Sequence, residues 1–365
     1  MDKTEGLPRL RPSAAHRWVR CPGSVKAEIG YPKETSDVAD EGTLAHEVCE
    51  VLLKCDGELP TCHNYPEEMV KAAYGYKNYI DSCKDEFADI EKFFIEKKVK
   101  NIYMYDRRPI LDAGGTVDAA LLGAKKDGTI LLHIFDYKYG FNKVEAYKNY
   151  QLLLYSVGLW RHEIGMRHEP EDIEVVLHVY QPRIKSYLRW QVPNFGESVR
   201  SMEAAMFGAI FSTADNLHPS KEACKWCRAR FDCSARLGQS KTASQISKKT
   251  IISKKDRAYI LDNAASIRKF LDDTEQKAIE ELNNGGHING YKLTHGRSTT
   301  KVKEEGEKLF YAAYGDQIYK RSLLPVSKLK EIVDEELFKC FTYKTEGRLK
   351  IEKDETNLEW NNNDE

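Results

Sequence analysis

Two carboxylates and a lysine, Asp118, Asp136 and Lys138, are the residues of this chain whose types and spacing suit phosphate chemistry. Asp118 lies in one apolar, strand-like run, GGTVDAALLGA, and Asp136 follows a second, ILLHIF, interrupted only by His133. Asp136 and Lys138 are two residues apart, so on a strand both side chains leave the same face. Carboxylates can hold a divalent cation that polarises a phosphoryl oxygen and acidifies a bound water. Magnesium takes oxygen ligands, one or two of them carboxylates. A lysine beside it stabilises developing charge or orients the attacking water. The plainer alternative, an acid and a lysine on a solvated edge strand, fits poorly with an acid that closes so apolar a run.

The elements that must position these groups follow from periodicity. Residues 113–123 and 129–138 read as strands, joined by the turn Lys125-Lys126-Asp127-Gly128. Residues 145–163 read as a helix in which Gln151 and Tyr155, four apart, share a face. Upstream, residues 65–85 read as a helix and 93–106 as a strand, with Arg107-Arg108-Pro109 as a turn. Ser13 is placed to cap a short helix holding His16, Arg17 and Trp18, which Cys21-Pro22 ends. Residues 36–55 carry a helical stripe of Val48, Val51 and Leu52, with His46 and Glu50 on another side. Strands at 172–181 and 186–192, turned by Pro182-Arg183, and a helix at 195–215 complete an α/β unit, taken as residues 1–237. The polar stretch 238–253 reads as a linker. A second unit, 254–350, opens with a long helix to 284, then a hairpin over 288–303 and helical segments at 304–315 and 326–338. Residues 351–365 read as an acidic, disordered tail.

A chain of 365 residues with 41% hydrophobic and 31% charged residues describes a globular protein with ample core. The net charge of −1 excludes a global basic field, so any nucleic-acid surface is a local patch. No apolar run approaches the roughly 20 residues that cross a bilayer, and the first residues lack a signal-peptide core, so a cytoplasmic protein is expected. In a reducing compartment, nine cysteines suggest metal before disulfides. Cys224, Cys227 and Cys233 alone are tightly spaced, as C-x2-C-x5-C; Cys49, Cys55, Cys62, Cys83 and Cys340 read as ordinary thiols. Lys221, Lys225, Arg228, Arg230 and Arg236, interleaved with Trp226 and Phe231, form a basic set around that cluster, which Cys21 would join with Arg11, Arg17 and Arg20. Such a set is either a solvated face or a phosphate-binding surface with stacking aromatics. Glu41, Glu47 and Glu50 are candidates for a second metal, and spacing does not separate them from a solvated helix face.

The order Gly115-Thr116-x-Asp118, Asp136-Tyr137-Lys138, Gln151-x3-Tyr155 resembles the PD-(D/E)XK nuclease superfamily, in particular its RecB-like branch with the Cas4 and AddB nucleases. Glu41-Gly42-Thr43-x2-His46 stands where that branch has a metal-binding histidine. The N-terminal Ser13, Trp18, Cys21, Pro22, Gly23 and Ser24 are similar to the phage-associated DUF2800 group. The resemblance covers about residues 9–236, and Asp136 departs from its pattern in lacking a Pro-Asp pair. It implies a restriction-endonuclease-like α/β core, a mixed central sheet flanked by helices, with a mainly helical C-terminal addition. It implies a DNA nuclease, an exonuclease in phage or bacterial recombination. His46, Asp118, Asp136 and the Tyr137 carbonyl would ligate Mg²⁺ or Mn²⁺, Lys138 would activate water, and Gln151 and Tyr155 would order the site or touch the DNA backbone. It implies a [4Fe–4S] cluster on Cys21, Cys224, Cys227 and Cys233; four thiolates suit structural Zn²⁺ equally. DNA ends are the expected partner, a phage single-strand annealing protein a second, with room for oligomers. Rival readings are a non-catalytic DNA-binding module and a phage interaction scaffold that keep the fold.

Overall fold

The computed structural model describes residues 10–32, 37–55, 57–59, 65–100, 102–105 and 108–293. Its helices are α1 (Ala15–Trp18), α2 (Ser24–Ala27), α3 (Asp37–Lys54), α4 (Glu67–Cys83), α5 (Tyr150–Leu159), α6 (Phe195–Phe211), α7 (Lys221–Cys224), α8 (Ser234–Ser247) and α9 (Lys254–Asn283). Its strands are β1 (Asp89–Val99), β2 (Ile102–Tyr105), β3 (Arg108–Asp112), β4 (Gly115–Ala124), β5 (Ile130–Tyr137), β6 (Ile173–Gln181) and β7 (Ser186–Gln191).

Five strands form one mixed sheet in the order β1-β4-β5-β6-β7, in which β5 and β6 are parallel and every other pair is antiparallel. The parallel pair follows from the α5 crossover, and antiparallel β4 and β5 need only a tight turn. That turn is closed by Lys125 N donating to the Thr129 carbonyl, 2.9 Å, and by Gly128 at φ +85°, where a side chain would be strained. From Leu131 to Tyr137 every residue of β5 is buried, as befits a strand covered on both faces, whereas β7 alternates at the edge.

The two faces carry separate cores. Leu131, Phe135 and Tyr137 of β5 pack with Val48 and Leu52 of α3 and Tyr76 and Ile80 of α4. Leu132 and Ile134, one residue out of phase, pack with Leu152 and Leu153 of α5 and Val199 and Met202 of α6. Asp136 shares this second phase and therefore faces α5.

Several local expectations need correction. Ser13 lies inside a 3-10 turn, Pro12–Ala14, and caps nothing by its side chain. The strand expected over 93–106 is two strands in two sheets, and Arg108-Pro109 begins β3 rather than completing a turn. Helix α5 starts at Tyr150, not 145, because Asn149 caps it, accepting from Gln151 N and Leu152 N.

The larger correction concerns residues 238–253. Most of them belong to α8, which α9 holds through polar contacts: the buried Arg236 Nη2 to Asp273 Oδ2 at 2.7 Å, and the half-buried Gln239 Nε2 to Asn263 Oδ1 at 2.7 Å. A polar run rich in Ser and Thr, with modest helix propensity of its own, stays helical when one face is held by a neighbouring helix. A compact unit thus runs to Leu293 and takes in α9, the helix expected to open a separate domain. Of the hairpin expected over 288–303, the described part is a turn in which Tyr291 N donates to the Ile288 carbonyl, 3.0 Å. The rest of it, the segments 304–315 and 326–338, the tail 351–365, Cys62 and Cys340 lie outside the described residues.

Candidate metal and cysteine centres

Three elements bring His46, Asp118 and Asp136 to one end of the sheet. Nδ1 of His46, on α3, stands 3.6 Å from Oδ1 of Asp118, on β4. Its ring meets the Tyr137 ring edge-on, centroids 5.5 Å apart, which fixes its orientation. The other oxygen of Asp118 accepts a 2.7 Å hydrogen bond from the Tyr137 amide. The amide of Tyr137, whose carbonyl is an expected ligand, thus touches this set.

Glu96, which sequence reasoning did not select, completes the group. Ligand atoms of His46, Glu96 and Asp118 lie within 4.8 Å of one another. No spacing rule ties position 96 to position 118; only the antiparallel register of β1 on β4 does so. Glu96 takes a left-handed backbone, φ +47°, uncommon for a residue with a Cβ and often a mark of function. The carboxylates considered for a second metal each have a partner of their own: Glu41 has Arg183 at 2.9 Å, Glu47 the Tyr65 hydroxyl at 3.0 Å, and Glu50 has Lys54 at 2.5 Å.

Asp136 is 1% exposed. Its Oδ1 accepts from Lys138 Nζ at 2.7 Å and from Gln151 Nε2 at 3.1 Å, while its Oδ2 is buried with no hydrogen-bond partner. A buried carboxylate oxygen without a donor is costly and fits a site that a cation completes. Gln151 Nε2 also lies 3.2 Å from the Tyr155 hydroxyl, so the expected pair does share a helix face and reaches Asp136 as a unit.

The electrostatics match this crowding. Burial pushes Glu96 up to about 7, with Asp118 and Glu50 adding to the rise. Burial also raises Asp118; His46 opposes the rise and Asp136 adds to it. Burial works against the Lys138 ammonium, but Asp136 and Asp118 outweigh it and hold the lysine above its ordinary value. Excess negative charge here is what a divalent cation would relieve.

The four expected cysteines also gather. Cys21, Cys224, Cys227 and Cys233 all line one cavity of 170 Å³. Burial raises the thiols of Cys21 and Cys224, and that of Cys227 to about 12, as expected of thiols without a bound cation. The N-terminal arm reaches this cavity by its own contacts. His218 N lies 3.3 Å from Cys21 Sγ, Gly23 N donates to the Asn216 carbonyl at 3.0 Å, and Arg228 N donates to Glu28 Oε1 at 2.7 Å. A Cβ on Gly23 would stand 2.5 Å from the Asn216 oxygen, so this approach requires glycine.

The basic set divides. Arg17 is buried against Glu28 at 2.9 Å, Arg228 pairs with the same carboxylate at 3.2 Å, and Arg236 is buried on Asp273. These three brace the fold and are not a phosphate surface. Arg11, Arg20, Lys221, Lys225 and Trp226 are exposed, while Arg230 lines the cavity and stacks on Phe231, 4.3 Å from the ring centroid.

A second cluster converges on the α4 face: Cys83, His133 and His178, with ligand atoms within 4.8 Å. Burial drives His133 down to about 4 and His178 well below its ordinary value, so both imidazoles are neutral.

Compared with known proteins, residues 8–354 match a family described as "Protein of unknown function (DUF2800)". A solved structure titled "Crystal structure of SSO0001" aligns at 12% identity and a TM-score of 0.29, covering 62% of this chain and 86% of that one. A likeness so loose carries no argument.

Proposed function

This chain belongs to the DUF2800 family, and we propose that it is a metal-dependent DNA nuclease of the PD-(D/E)XK kind that also carries an iron–sulfur cluster. The observation that carries the reading is the orphaned Oδ2 of Asp136, buried beside Lys138 in a site where His46, Glu96 and Asp118 already converge. That donor set of one imidazole and several carboxylate oxygens fits Mg²⁺ or Mn²⁺. When bound, the ion supplies Lewis-acid stabilisation of phosphoryl charge and a more acidic water.

The chain's own groups do the rest. His46, Glu96, Asp118 and the free oxygen of Asp136 would hold the ion. Lys138 keeps its proton, and its side chain is 29% exposed. It can therefore reach a phosphate oxygen or orient a water. Gln151, set by the Asn149 cap and by Tyr155, holds the Asp136 carboxylate in place.

For the cysteines, a single tetrahedral zinc would draw sulfurs to about 3.8 Å from one another, given Zn–S of about 2.3 Å. The four thiols surround one cavity with open space between them. A cavity lined by four thiols suits a [4Fe–4S] cluster, and one zinc ion is the alternative that the test below separates. With Arg20, Lys225 and Trp226 exposed beside it, this rim is the surface proposed to hold DNA.

The test is digestion of end-labelled single- and double-stranded DNA by anaerobically purified protein with Mg²⁺ or Mn²⁺. Products from one labelled end would place the enzyme among exonucleases. Asp136→Asn and Lys138→Ala should abolish digestion; wild-type rates in both would sink the reading. A brown protein supports the cluster, and a colourless one carrying zinc rejects it.

A further inference from the structure

His133 is the one polar interruption in the ILLHIF run of β5, and it is fully buried. Parallel pairing places Phe135 of β5 opposite His178 of β6, so His133 and His178 are diagonal neighbours on the α4 face. Cys83, the last residue of α4, is buried against them.

The two inward nitrogens share a buried hydrogen bond at a separation that two ligands of one ion would also have. Nε2 of His178 lies 3.1 Å from Nδ1 of His133. Two imidazole nitrogens each about 2.0–2.1 Å from one tetrahedral ion sit about 3.3 Å apart. The outward nitrogen of His178 has a partner of the kind that orients a metal-bound histidine, and that of His133 points toward a carboxylate beyond hydrogen-bond distance. His178 Nδ1 lies 2.9 Å from the Tyr79 hydroxyl, and His133 Nε2 lies 3.8 Å from a Glu86 carboxylate oxygen. That His133 nitrogen has no hydrogen-bond partner within the fold, although it is wholly buried. Phe135 stacks on His178 with centroids 4.5 Å apart, and Phe87 packs on His133 at 5.1 Å, so the rings have little freedom to turn.

We propose that Cys83 Sγ, His133 Nδ1 and His178 Nε2 form a zinc site that fastens the C-terminal end of α4 to the β5–β6 pair. It is distinct from both centres described above. One thiolate and two imidazoles are a donor set that zinc accepts, with the fourth position left to a small exogenous ligand such as water. Binding releases the Cys83 thiol proton. The proton in the hydrogen bond between His178 Nε2 and His133 Nδ1 moves to the outward nitrogen of the ring that carries it, so both imidazoles stay neutral; at His178 that nitrogen would donate to the Tyr79 oxygen. Between His133 and solvent stands the exposed Glu86–Arg189 pair, two hydrogen bonds of 2.7 and 2.6 Å.

The experiment titrates ZnCl₂ into the metal-stripped full chain. Bound zinc is counted after gel filtration, and melting is followed with and without zinc. Cys83→Ser and His178→Gln should each bind one equivalent fewer than wild type and lose part of the zinc-induced rise in Tm, while the other cysteines keep their metal. Equal zinc in wild type and both variants would overturn the site. Should neither variant fold, Tyr79→Phe decides. It keeps every ligand and should weaken this zinc by about 10- to 100-fold, and an unchanged affinity would overturn the proposal.

Discussion

Glu96 on β1 faces Asp118 on β4: its neighbours Ile95 and Lys97 pair with Ala119 and Val117, and the carboxylate groups close to within ligand distance around His46. Like charges directly opposite on a sheet are destabilising. A left-handed backbone at Glu96 adds strain of about 1–3 kcal/mol. A cation between the two carboxylates turns this repulsion into ligation.

Mg²⁺ or Mn²⁺ should therefore raise the melting temperature. At 100 times its dissociation constant a ligand of the folded state adds about 2.7 kcal/mol. Glu96→Gln should shrink the metal-induced shift and raise the metal-free Tm, because it removes the repulsion. A variant with the wild-type shift would show that Glu96 is not a ligand. Calorimetry with and without metal reads both effects.

The same residue sets a pH dependence in the metal-free protein. Glu96 moves from its ordinary 4.5 to about 7, chiefly by burial. Between those values the folded chain keeps a proton that the unfolded chain has released. The contribution is thus full below about 4.5 and is lost as pH rises through about 7. The difference in Tm between wild type and Glu96→Gln should change across that window. A difference constant with pH would refute the assignment.

Gln151 touches Asp136 without being a candidate ligand. Gln151→Ala should lower the digestion rate by about 10- to 100-fold, the usual cost of losing a partner of a metal-site carboxylate, with circular dichroism unchanged. If Lys138→Ala and Gln151→Ala lost equally little, the site would not be the seat of hydrolysis.

Arg236 and Asp273 form a pair with side chains 0% and 1% exposed, 2.7 Å apart, and Lys269 joins the same carboxylate. Removing one partner of a buried pair costs about 3–5 kcal/mol, whereas replacing both with apolar groups is often neutral. Arg236→Met should lower the urea midpoint sharply, and Arg236→Met with Asp273→Leu should recover much of the loss. A mild effect from the single change would mean that Lys269 alone satisfies Asp273.

The parts of this protein that were legible in the sequence are those set by local periods. A period of two put Asp136 and Lys138 on one side of a strand, and a period of 3.6 put Gln151 and Tyr155 on one side of a helix; both pairs are in contact. Apolar runs bounded by turn residues likewise marked β4, β5 and β6 to within two residues. What tertiary structure decided involves residues far apart in the chain. Register between β1 and β4 brought in Glu96, whereas Glu41, Glu47 and Glu50, which spacing could not tell from a solvated helix face, are bonded to Arg183, Tyr65 and Lys54. Packing against α9 made a helix of a polar stretch that composition marks as a linker, and buried Arg236 out of a basic surface. Parallel pairing of β5 with β6 brought His133, His178 and Cys83 together from three elements with no motif among them. Propensity and side-chain period act over a few residues, whereas register, burial and charge pairing depend on which distant segment arrives opposite.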